Sequence, residues 1–205
     1  MALLPTRLYL LSLFANFERY RIVKSLEMPN VYLGLGSNKS LHRMSSARIV
    51  FAAAKSLATF GSGAFISPLF RSAAWPDPTA PAYVNAVMAM QTAMPPEELL
   101  RAVLAIEAGF SRVRENDPAL RYAPRTLDID LLDYEGYRSE TSALTLPHPR
   151  LSSRDFVLRP LSLLAPEWRH PISGEAIDAL CAGLPVGGAT LLPFVGAPAL
   201  QAVSS

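Results

Sequence analysis

An alternation of apolar and polar residues just after position 125 constrains the fold of this chain more than any other feature. In the string Thr-Leu-Asp-Ile-Asp-Leu, which spans 126–131, every second residue is apolar. A period of two predicts a β-strand with one buried face, so Asp128 and Asp130 leave the opposite face together. Two residues of strand rise would separate their Cα atoms by roughly 6.5–7 Å. The strand therefore presents two carboxylates side by side.

Two carboxylates this close need a partner of opposite charge, because at an effective dielectric near 20 they repel by roughly 2–3 kcal/mol. Mg²⁺ prefers carboxylate ligands, usually one or two per ion, with substrate phosphates completing its shell. The residues before the pair include Arg112, Arg114, Arg121 and Arg125. Guanidinium groups and metal ions together suit a polyphosphate. The alternative is a solvated acidic pair with ordinary surface arginines; the arginine cluster and the single polar face favour the site.

Composition narrows the class of protein. Of 205 residues, 50% are hydrophobic and 18% are charged, which indicates a folded domain with a real core. A net charge of +2 is too small to indicate a nucleic-acid or anionic-membrane partner. The single cysteine, Cys181, excludes a disulfide framework and a cysteine-based zinc site, and it fits a reducing cytosol.

The two ends of the chain are expected to lie outside the domain. The apolar run at 8–15 is too short to span a bilayer, and no small-x-small cleavage pattern follows it. We therefore expect residues 1–28 to be a dispensable extension, residues 29–190 to form a single domain, and residues 191–205 to be a loose tail.

The order of predicted elements indicates the fold class. Apolar periodicity and turn signals predict, in chain order, a strand at 31–36, a helix at 41–60, strands at 64–71 and 83–92, a helix at 96–110, the acidic strand, a hairpin near 138–146, and helices near 155–164 and 175–182. The first six elements follow the order β-α-β-β-α-β, which is typical of the ferredoxin-like α+β fold. RNA-binding modules share this order, but they place base-stacking aromatic residues on the central strands. Here the strand at 83–92 offers only Tyr83.

The glycine-containing turn after the first strand matches no phosphate-binding motif. In Gly34-Leu35-Gly36-Ser37-Asn38-Lys39 a lysine takes the place of the third glycine of a dinucleotide fingerprint, and the Gly-Lys-Ser/Thr ending of a P-loop is absent. We interpret the segment as a strand-to-helix turn with Ser37 or Asn38 near the helix start.

Two further groups have weaker signals. Tyr83 and Asn85 share one face of a predicted strand, where an aromatic ring and a carboxamide could bind a flat heterocycle; taken alone, a core tyrosine with a satisfied asparagine is the more common situation. The proline-rich loop around His148 also carries Arg150 and Arg154, which could approach phosphates from the side opposite the earlier arginines.

Together these residues resemble the 6-hydroxymethyl-7,8-dihydropterin pyrophosphokinase family of folate biosynthesis, over about Val31 to Pro166. The resemblance rests on the segments 35–38, 83–86, 95–100, 112–114, 124–130 and 147–158. The string Pro-Arg-Thr-Leu-Asp-x-Asp with the downstream Pro-His pair is highly specific. The family's fold is also ferredoxin-like, in agreement with the predicted element order.

The resemblance implies transfer of the β,γ-diphosphate of ATP to the hydroxymethyl group of a reduced pterin, releasing AMP. Asp128 and Asp130 would bind two Mg²⁺ ions, and Arg112 and Arg125 would neutralise the diphosphate as it moves. The implied ATP-binding residues are Glu107, Arg112, Arg114, Tyr122, Arg125, Leu131, Leu144, Thr145, His148 and Arg154. The implied pterin-binding residues are Ser72, Ala74, Trp75, Tyr83, Asn85, Tyr122 and Phe156. We expect a cytoplasmic monomer whose partners are small molecules, with no nucleic acid or membrane, in line with the net charge and the single cysteine.

The chain departs from the family pattern at a few positions. Tyr122-Ala123 stands where the family has Trp-Gly, and Ala143 replaces a frequent arginine. Two other functions stay open as alternatives: a nucleotidyltransferase that uses the Asp-x-Asp pair, and a non-catalytic ferredoxin-like binding module. The first would place its Gly-Ser and Asp-x-Asp motifs close together, whereas Ser37 and Asp128 are far apart in this chain.

Overall fold

The acidic strand lies at one end of an antiparallel sheet in the computed structural model of the chain, which describes residues 28–112, 122–185, 187–192 and 201–203. The predicted extension, up to residue 27, lies outside the described residues. The elements follow in the order β1 (Asn30–Ser37), α1 (Ser46–Ala58), β2 (Ser62–Ile66), β3 (Phe70–Ser72), β4 (Tyr83–Gln91), α2 (Pro96–Gly109), β5 (Asp128–Tyr134), β6 (Ser139–Glu140), β7 (Thr145–Leu146), α3 (Asp155–Leu164), α4 (Ile177–Ala182), β8 (Thr190–Leu191) and β9 (Gln201–Ala202).

The main sheet has the strand order β5-β1-β4-β2-β9, with β3 also paired to β4 and β8 paired to β3. Every one of these pairings is antiparallel. Strands β6 and β7 form a separate two-stranded hairpin. The fold is therefore mixed, with helices packed on an antiparallel sheet.

Helices α1 and α2 cover one face of the sheet. Their apolar stripes pack on the residues of β1, β4 and β5 that alternate toward this face. The largest fully buried side chains of this core include Leu33, Leu35, Ile49, Leu57, Ile66, Met88, Met90, Leu99 and Leu127. No helix in the described parts of the chain combines the length and apolarity needed to cross a bilayer.

Helix α1 begins later than predicted. Residues 41–44 were expected to be helical, but Leu41 and Met44 form an isolated β-bridge and His42 has a φ of 52°. A left-handed residue cannot continue a right-handed helix. The helix starts after Ser45, whose hydroxyl accepts a hydrogen bond from the Arg48 N–H at 3.5 Å.

The strand predicted at 64–71 is interrupted. Pro68 has no N–H to donate to a ladder, so the segment divides into β2 and β3. Between them the Ser67 N–H donates to the Val87 carbonyl at 2.9 Å, and the Ser67 hydroxyl accepts from the Val87 N–H at 3.0 Å. The Ser67 hydroxyl thus takes the place of a main-chain carbonyl as the acceptor for Val87, and both short strands stay attached to β4.

Helices α3 and α4 cover only part of the other face of the sheet. A second, smaller core joins Val87 and Leu132 to Leu158, Leu161 and Ile177. A register shift between β1 and β5 places Leu132 and Asp133 opposite Tyr32, as in a β-bulge. The half of this face that carries Asp128 and Asp130 lies beyond the second core and borders a cavity.

The end of the chain was predicted to be loose, but two parts of it are paired with the sheet. Strand β8 pairs with β3 and strand β9 pairs with β2, and the Val203 N–H donates to the Ala64 carbonyl at 2.8 Å. Edge strands have free main-chain groups that accept such additions, whatever the side chains are. The Ala- and Pro-rich composition of the end of the chain therefore gave no indication of this pairing.

We expect Gly61→Ala to destabilise the protein by about 1–3 kcal/mol, because overpacking of this size forces backbone shifts. A Cβ at this position would overlap the Gln91 carbonyl oxygen. The matched control is Gly109→Ala at the end of α2, where a Cβ would meet nothing within 4 Å. The control should be neutral or stabilising by up to about 1 kcal/mol. Urea unfolding measures both, and equal effects would contradict the packing described here.

We expect the stability of the wild type relative to Asp133→Asn to rise as pH falls from 7 toward 4. Burial raises the pKa of Asp133 above its usual 3.8, although the hydrogen bond from Trp168 Nε1 opposes the rise. The folded state therefore binds a proton more readily than the unfolded state, so stability is lost as pH rises through the folded pKa.

Urea unfolding at several pH values tests this prediction. Asp133→Asn cannot titrate and keeps an acceptor for Trp168. The control is Asp77→Asn, since a hydrogen bond from Thr79 lowers the pKa of exposed Asp77 and the pH trend has the opposite sign. A pH-independent difference between the wild type and Asp133→Asn would refute the assignment.

Candidate active site

The two carboxylates predicted to lie together do share one face of the sheet. In the register between β5 and β1, Asp128 lies opposite Gly36 and Asp130 lies opposite Gly34. Both aspartates line a cavity of about 500 Å³. Because their cross-strand neighbours have no side chains, nothing on β1 fills the space beside the carboxylates.

Each carboxylate has a guanidinium partner. Arg125 Nη1 lies 2.8 Å from Asp128 Oδ2, and Arg112 Nη2 lies 3.4 Å from Asp128 Oδ1. Arg154 Nη1 lies 2.7 Å from Asp130 Oδ2. Burial alone would lower the pKa of Arg125, but the neighbouring carboxylates, chiefly Asp128, and Tyr83 outweigh it and raise that pKa. The arginines therefore offset the repulsion between the aspartates and stay charged.

His148 faces Asp130 as a neutral group. Its Nε2 lies 3.8 Å from Asp130 Oδ2, and burial lowers its pKa although Asp130 opposes the shift. His148 Nδ1 accepts a hydrogen bond from the Arg150 N–H at 3.1 Å. In the neutral imidazole the proton is therefore on Nε2, the nitrogen directed at Asp130. The side chain can donate a hydrogen bond toward the acidic pair without adding charge.

Glu107 lies behind the acidic strand rather than in the cavity. Its side chain is buried, and its Oε1 accepts a hydrogen bond from the Ile129 N–H at 2.8 Å. Ile129 is the residue between the two aspartates. The contact with the main chain therefore fixes the strand at the point from which both carboxylates project.

A second end of the cavity is suited to a flat polar ring. Tyr83 and Asn85 line it from β4, and the Asn85 Nδ2 donates to the Ser72 hydroxyl at 3.0 Å. Burial raises the pKa of the Tyr83 phenol, so the ring stays neutral. Gly36 lies between Asn85 and Asp128 in the sheet, and a Cβ there would be 3.2 Å from Asn85 Oδ1. Asn85 and Asp128 are thus two strand spacings apart in the sheet, which is about 10 Å between their main chains.

Aromatic side chains border the open side of the cavity. The rings of Trp75 and Tyr122 meet edge to face with centroids 5.1 Å apart, and Trp75 is 71% exposed. Phe156 lines the cavity from the start of α3, and the Arg154 guanidinium lies 5.4 Å from its ring centroid. Together with Tyr83, these residues place four aromatic side chains in the cavity lining.

Most of the predicted site residues are brought together. Those that line the cavity are Ser72, Trp75, Tyr83, Asn85, Tyr122, Arg125, Asp128, Asp130, Arg154 and Phe156. Arg112 and His148 are outside the lining, but they lie 3.4 Å from Asp128 and 3.8 Å from Asp130, respectively. Residues placed outside the lining are Ala74, Glu107, Leu131, Leu144 and Thr145. Arg114 lies outside the described residues.

Two features of the site were predicted only in part or not at all. Arg150, which the sequence placed with Arg154 in a loop that could approach phosphates, lines the cavity, and so does Ser153, which the sequence did not single out. Asn38 was interpreted as a turn residue near a helix start, yet helix α1 begins eight residues later, and the Asn38 side chain bonds to Arg125 and Pro81 instead. Only the spatial neighbours of Asn38 reveal that role.

The donor set fits Mg²⁺ that is shared with a phosphate. Among the described residues there is no group of three or more His, Cys, Asp or Glu side chains that could bind a metal by themselves. Two carboxylates facing a cavity supply the usual protein share of a magnesium shell when substrate oxygens supply the rest.

The sequence and the fold match known proteins. The family model for 7,8-dihydro-6-hydroxymethylpterin-pyrophosphokinase (HPPK) matches residues 32–166. A 2-amino-4-hydroxy-6-hydroxymethyldihydropteridine pyrophosphokinase from Synechocystis sp. is 38% identical over 149 residues, which are 67% of this chain and 74% of the relative. The protein of that name from Methylorubrum extorquens is 36% identical over 163 residues, covering 78% of this chain and 97% of the relative.

A likeness to solved structures concerns the fold alone. A crystal structure of HPPK-DHPS in complex with substrates has a TM-score of 0.57 at 12% identity and covers 75% of this chain. This chain spans 44% of that protein. Because the HPPK family model matches well over half of the 205 residues, the chain belongs to the HPPK family, the pyrophosphokinases of folate synthesis.

Proposed function

We propose that this enzyme transfers the diphosphate of ATP to the hydroxymethyl group of 6-hydroxymethyl-7,8-dihydropterin, the reaction of its family, with Asp128 and Asp130 as its metal ligands. The observation that carries the proposal is that one and the same cavity has two different ends. One end is acidic and rich in arginine, and the other carries aromatic and carboxamide side chains. The first end suits a polyphosphate and the second suits a pterin. A diphosphate transfer needs both ligands in one space.

The transfer can proceed without a protein nucleophile. The substrate hydroxyl oxygen bonds to the β-phosphorus of ATP, the bond from that phosphorus to the α,β-bridging oxygen breaks, and AMP leaves with the electron pair. The hydroxyl proton is released to solvent water in the same reaction. Such a transfer depends on positioning and on neutralising charge rather than on covalent chemistry.

The acidic pair and the arginines divide this work. Two Mg²⁺ ions bound by Asp128 and Asp130 would neutralise the triphosphate and polarise its phosphoryl oxygens. Arg112 and Arg125, which now pair with Asp128, lie close enough to contact an anion beside that carboxylate. Their guanidinium groups would then neutralise the charge that moves during transfer. Arg154 and neutral His148 would contact the nucleotide from the other side.

The other end of the cavity would bind the pterin. Tyr83 and Phe156 would stack on its two faces, while Asn85, Ser72 and the loop with Trp75 would bind its polar edge. Tyr122 would contact both ligands from the cavity mouth. The contacts of Glu107, Arg114, Leu131, Leu144 and Thr145 with ATP, and of Ala74 with the pterin, stay predictions.

We also propose that the fold is ferredoxin-like, on the support of the strand order β5-β1-β4-β2 with helices α1 and α2 on one face. One pyrophosphokinase domain would begin at residue 29 and would include the paired strands β8 and β9, and a dispensable extension would precede it. The enzyme would act as a cytoplasmic monomer on small molecules, without nucleic-acid or membrane partners.

Asp128→Asn and Asp130→Asn should each lower kcat by about 10²–10³-fold or more, because each removes a charge that stabilises the transferring group. Both side chains are partly exposed, at 29% and 35%, so folding should survive. The assay follows AMP formation from ATP and the reduced pterin. Asp133→Asn, on the same strand but outside the cavity, is the matched control and should keep its activity.

The products of the same assay separate the alternatives. Pyrophosphate release would indicate a nucleotidyltransferase, and binding without any product would indicate a binding module. Full activity in both Asp128→Asn and Asp130→Asn would rule out the proposed metal ligands.

Arg125→Ala should reduce kcat more than it reduces ATP affinity, since the charge that Arg125 neutralises develops during transfer. Steady-state kinetics and equilibrium nucleotide binding measure the two effects. Arg101→Ala on α2, where the side chain is 71% exposed, is the control and should change neither. Equal losses in rate and in affinity would assign Arg125 a binding role only.

A further inference from the structure

Asn38 makes more contacts with the active-site segments than its place outside the cavity suggests. It follows β1 and is only 5% exposed. Its Oδ1 accepts a hydrogen bond from the Arg125 N–H at 2.6 Å, and its Nδ2 donates to the Pro81 carbonyl at 2.9 Å. The N–H groups of Asn38 and Lys39 both donate to the Arg125 carbonyl at 3.0 Å. One turn thus engages both main-chain polar groups of Arg125.

The two segments joined by Asn38 both form the cavity. Arg125 pairs with Asp128 at the acidic end. Pro81 is the second-last residue of the loop from 73 to 82, which carries Trp75. The carboxamide of Asn38 therefore lies between the segment that binds the acidic pair and the loop at the heterocycle end.

The same two segments meet again at the cavity mouth. The ring of Trp75, in the first half of its loop, contacts the ring of Tyr122, three positions before Arg125. The segments are thus joined by Asn38 at one point and by the aromatic pair at another. Two attachments restrict the relative placement of two loops far more than either one alone.

We propose that Asn38 is a positioning residue that sets the placement of Arg125 relative to the loop from 73 to 82, an inference that rests on the proposed function of Arg125. The Asn38 side chain can connect the two segments because a carboxamide both accepts a hydrogen bond from an N–H and donates one to a carbonyl. Aspartate could accept from the Arg125 N–H but could not donate to the Pro81 carbonyl. Alanine could do neither.

The main-chain contacts make the effect of a substitution specific. The bonds from the N–H groups of Asn38 and Lys39 to the Arg125 carbonyl do not depend on the side chain at position 38. The turn should therefore stay attached in any variant. Asn38→Ala removes the side-chain hydrogen bonds to both the Arg125 N–H and the Pro81 carbonyl, whereas Asn38→Asp removes only the bond to the Pro81 carbonyl. Small displacements of a positioned charge can reduce a rate by about 10²-fold.

Amide hydrogen exchange tests the positioning without using activity. We expect Asn38→Ala to increase exchange at the Arg125 N–H by at least about tenfold, which is the expected effect of exposing a protected amide. Asn38→Asp, which keeps the acceptor, should leave that amide protected. The Ile129 N–H, bonded to Glu107, is the internal control and should not change in either variant. Unchanged exchange at Arg125 in Asn38→Ala would overturn the inference.

A double-mutant cycle on kcat/KM tests whether Asn38 acts through Arg125. Asn38→Ala should lower kcat/KM by about 10- to 100-fold in the wild type. In an Arg125→Ala background the same substitution should lower it by less than about threefold, because residues that act through one another are not additive. Equal losses in both backgrounds would show a general structural effect and contradict the inference.

The two experiments separate this inference from the proposed function. If Arg125→Ala alone leaves activity unchanged, the proposed role of Arg125 fails, whatever Asn38 does. If Arg125→Ala is damaging but the cycle is additive, the proposed function stands and the positioning role of Asn38 fails. Thermal unfolding of each variant identifies losses of activity that come from unfolding. If Asn38→Ala does not fold, Asn38→Asp supplies the test: this variant should lower kcat/KM while the Arg125 N–H stays protected from exchange. An unaltered kcat/KM in Asn38→Asp would count against the inference.

Discussion

The repulsion between Asp128 and Asp130 is the constraint on which the rest of the site depends. Neighbouring carboxylates on one strand face are unfavourable unless positive charge surrounds them, and three guanidinium groups do so here. In the proposed complex, a polyphosphate with its metal ions would satisfy the same carboxylates and the same arginines at once. The ion pairs seen in the protein thus involve the groups that this proposed complex would use.

The sheet provides the room for this arrangement. Gly34 and Gly36 leave the strand beside the carboxylates bare, and helices α3 and α4 cover only the part of the face around Val87 and Leu132. A complete helical layer would bury the acidic pair at a large cost in desolvation. The partly covered face keeps the charged groups at a cavity while the opposite face forms the main core.

Sequence patterns predicted the parts of the fold that depend on local periodicity. The alternation at 126–131 correctly placed both aspartates on one face, and the proline and acidic residues at the start of α2 located that helix. The predictions were wrong at a local turn, where the bridge between Leu41 and Met44 delays the start of α1. They were also wrong where contacts distant in sequence decide the structure, as in the pairing of β8 and β9 with the sheet. The role of Asn38 has no local pattern at all, since its partners are 43 and 87 positions away.

The number of divalent ions bound by the folded protein is the most direct measure of whether Asp128 and Asp130 are metal ligands. Mn²⁺ can be counted by electron paramagnetic resonance in the presence of the pterin and an ATP analogue whose α,β-bridging oxygen is replaced by methylene. We expect two ions per chain with both ligands present and a loss of ions in Asp128→Asn and Asp130→Asn. Two ions bound equally well by those variants would show that the aspartates are not the metal ligands.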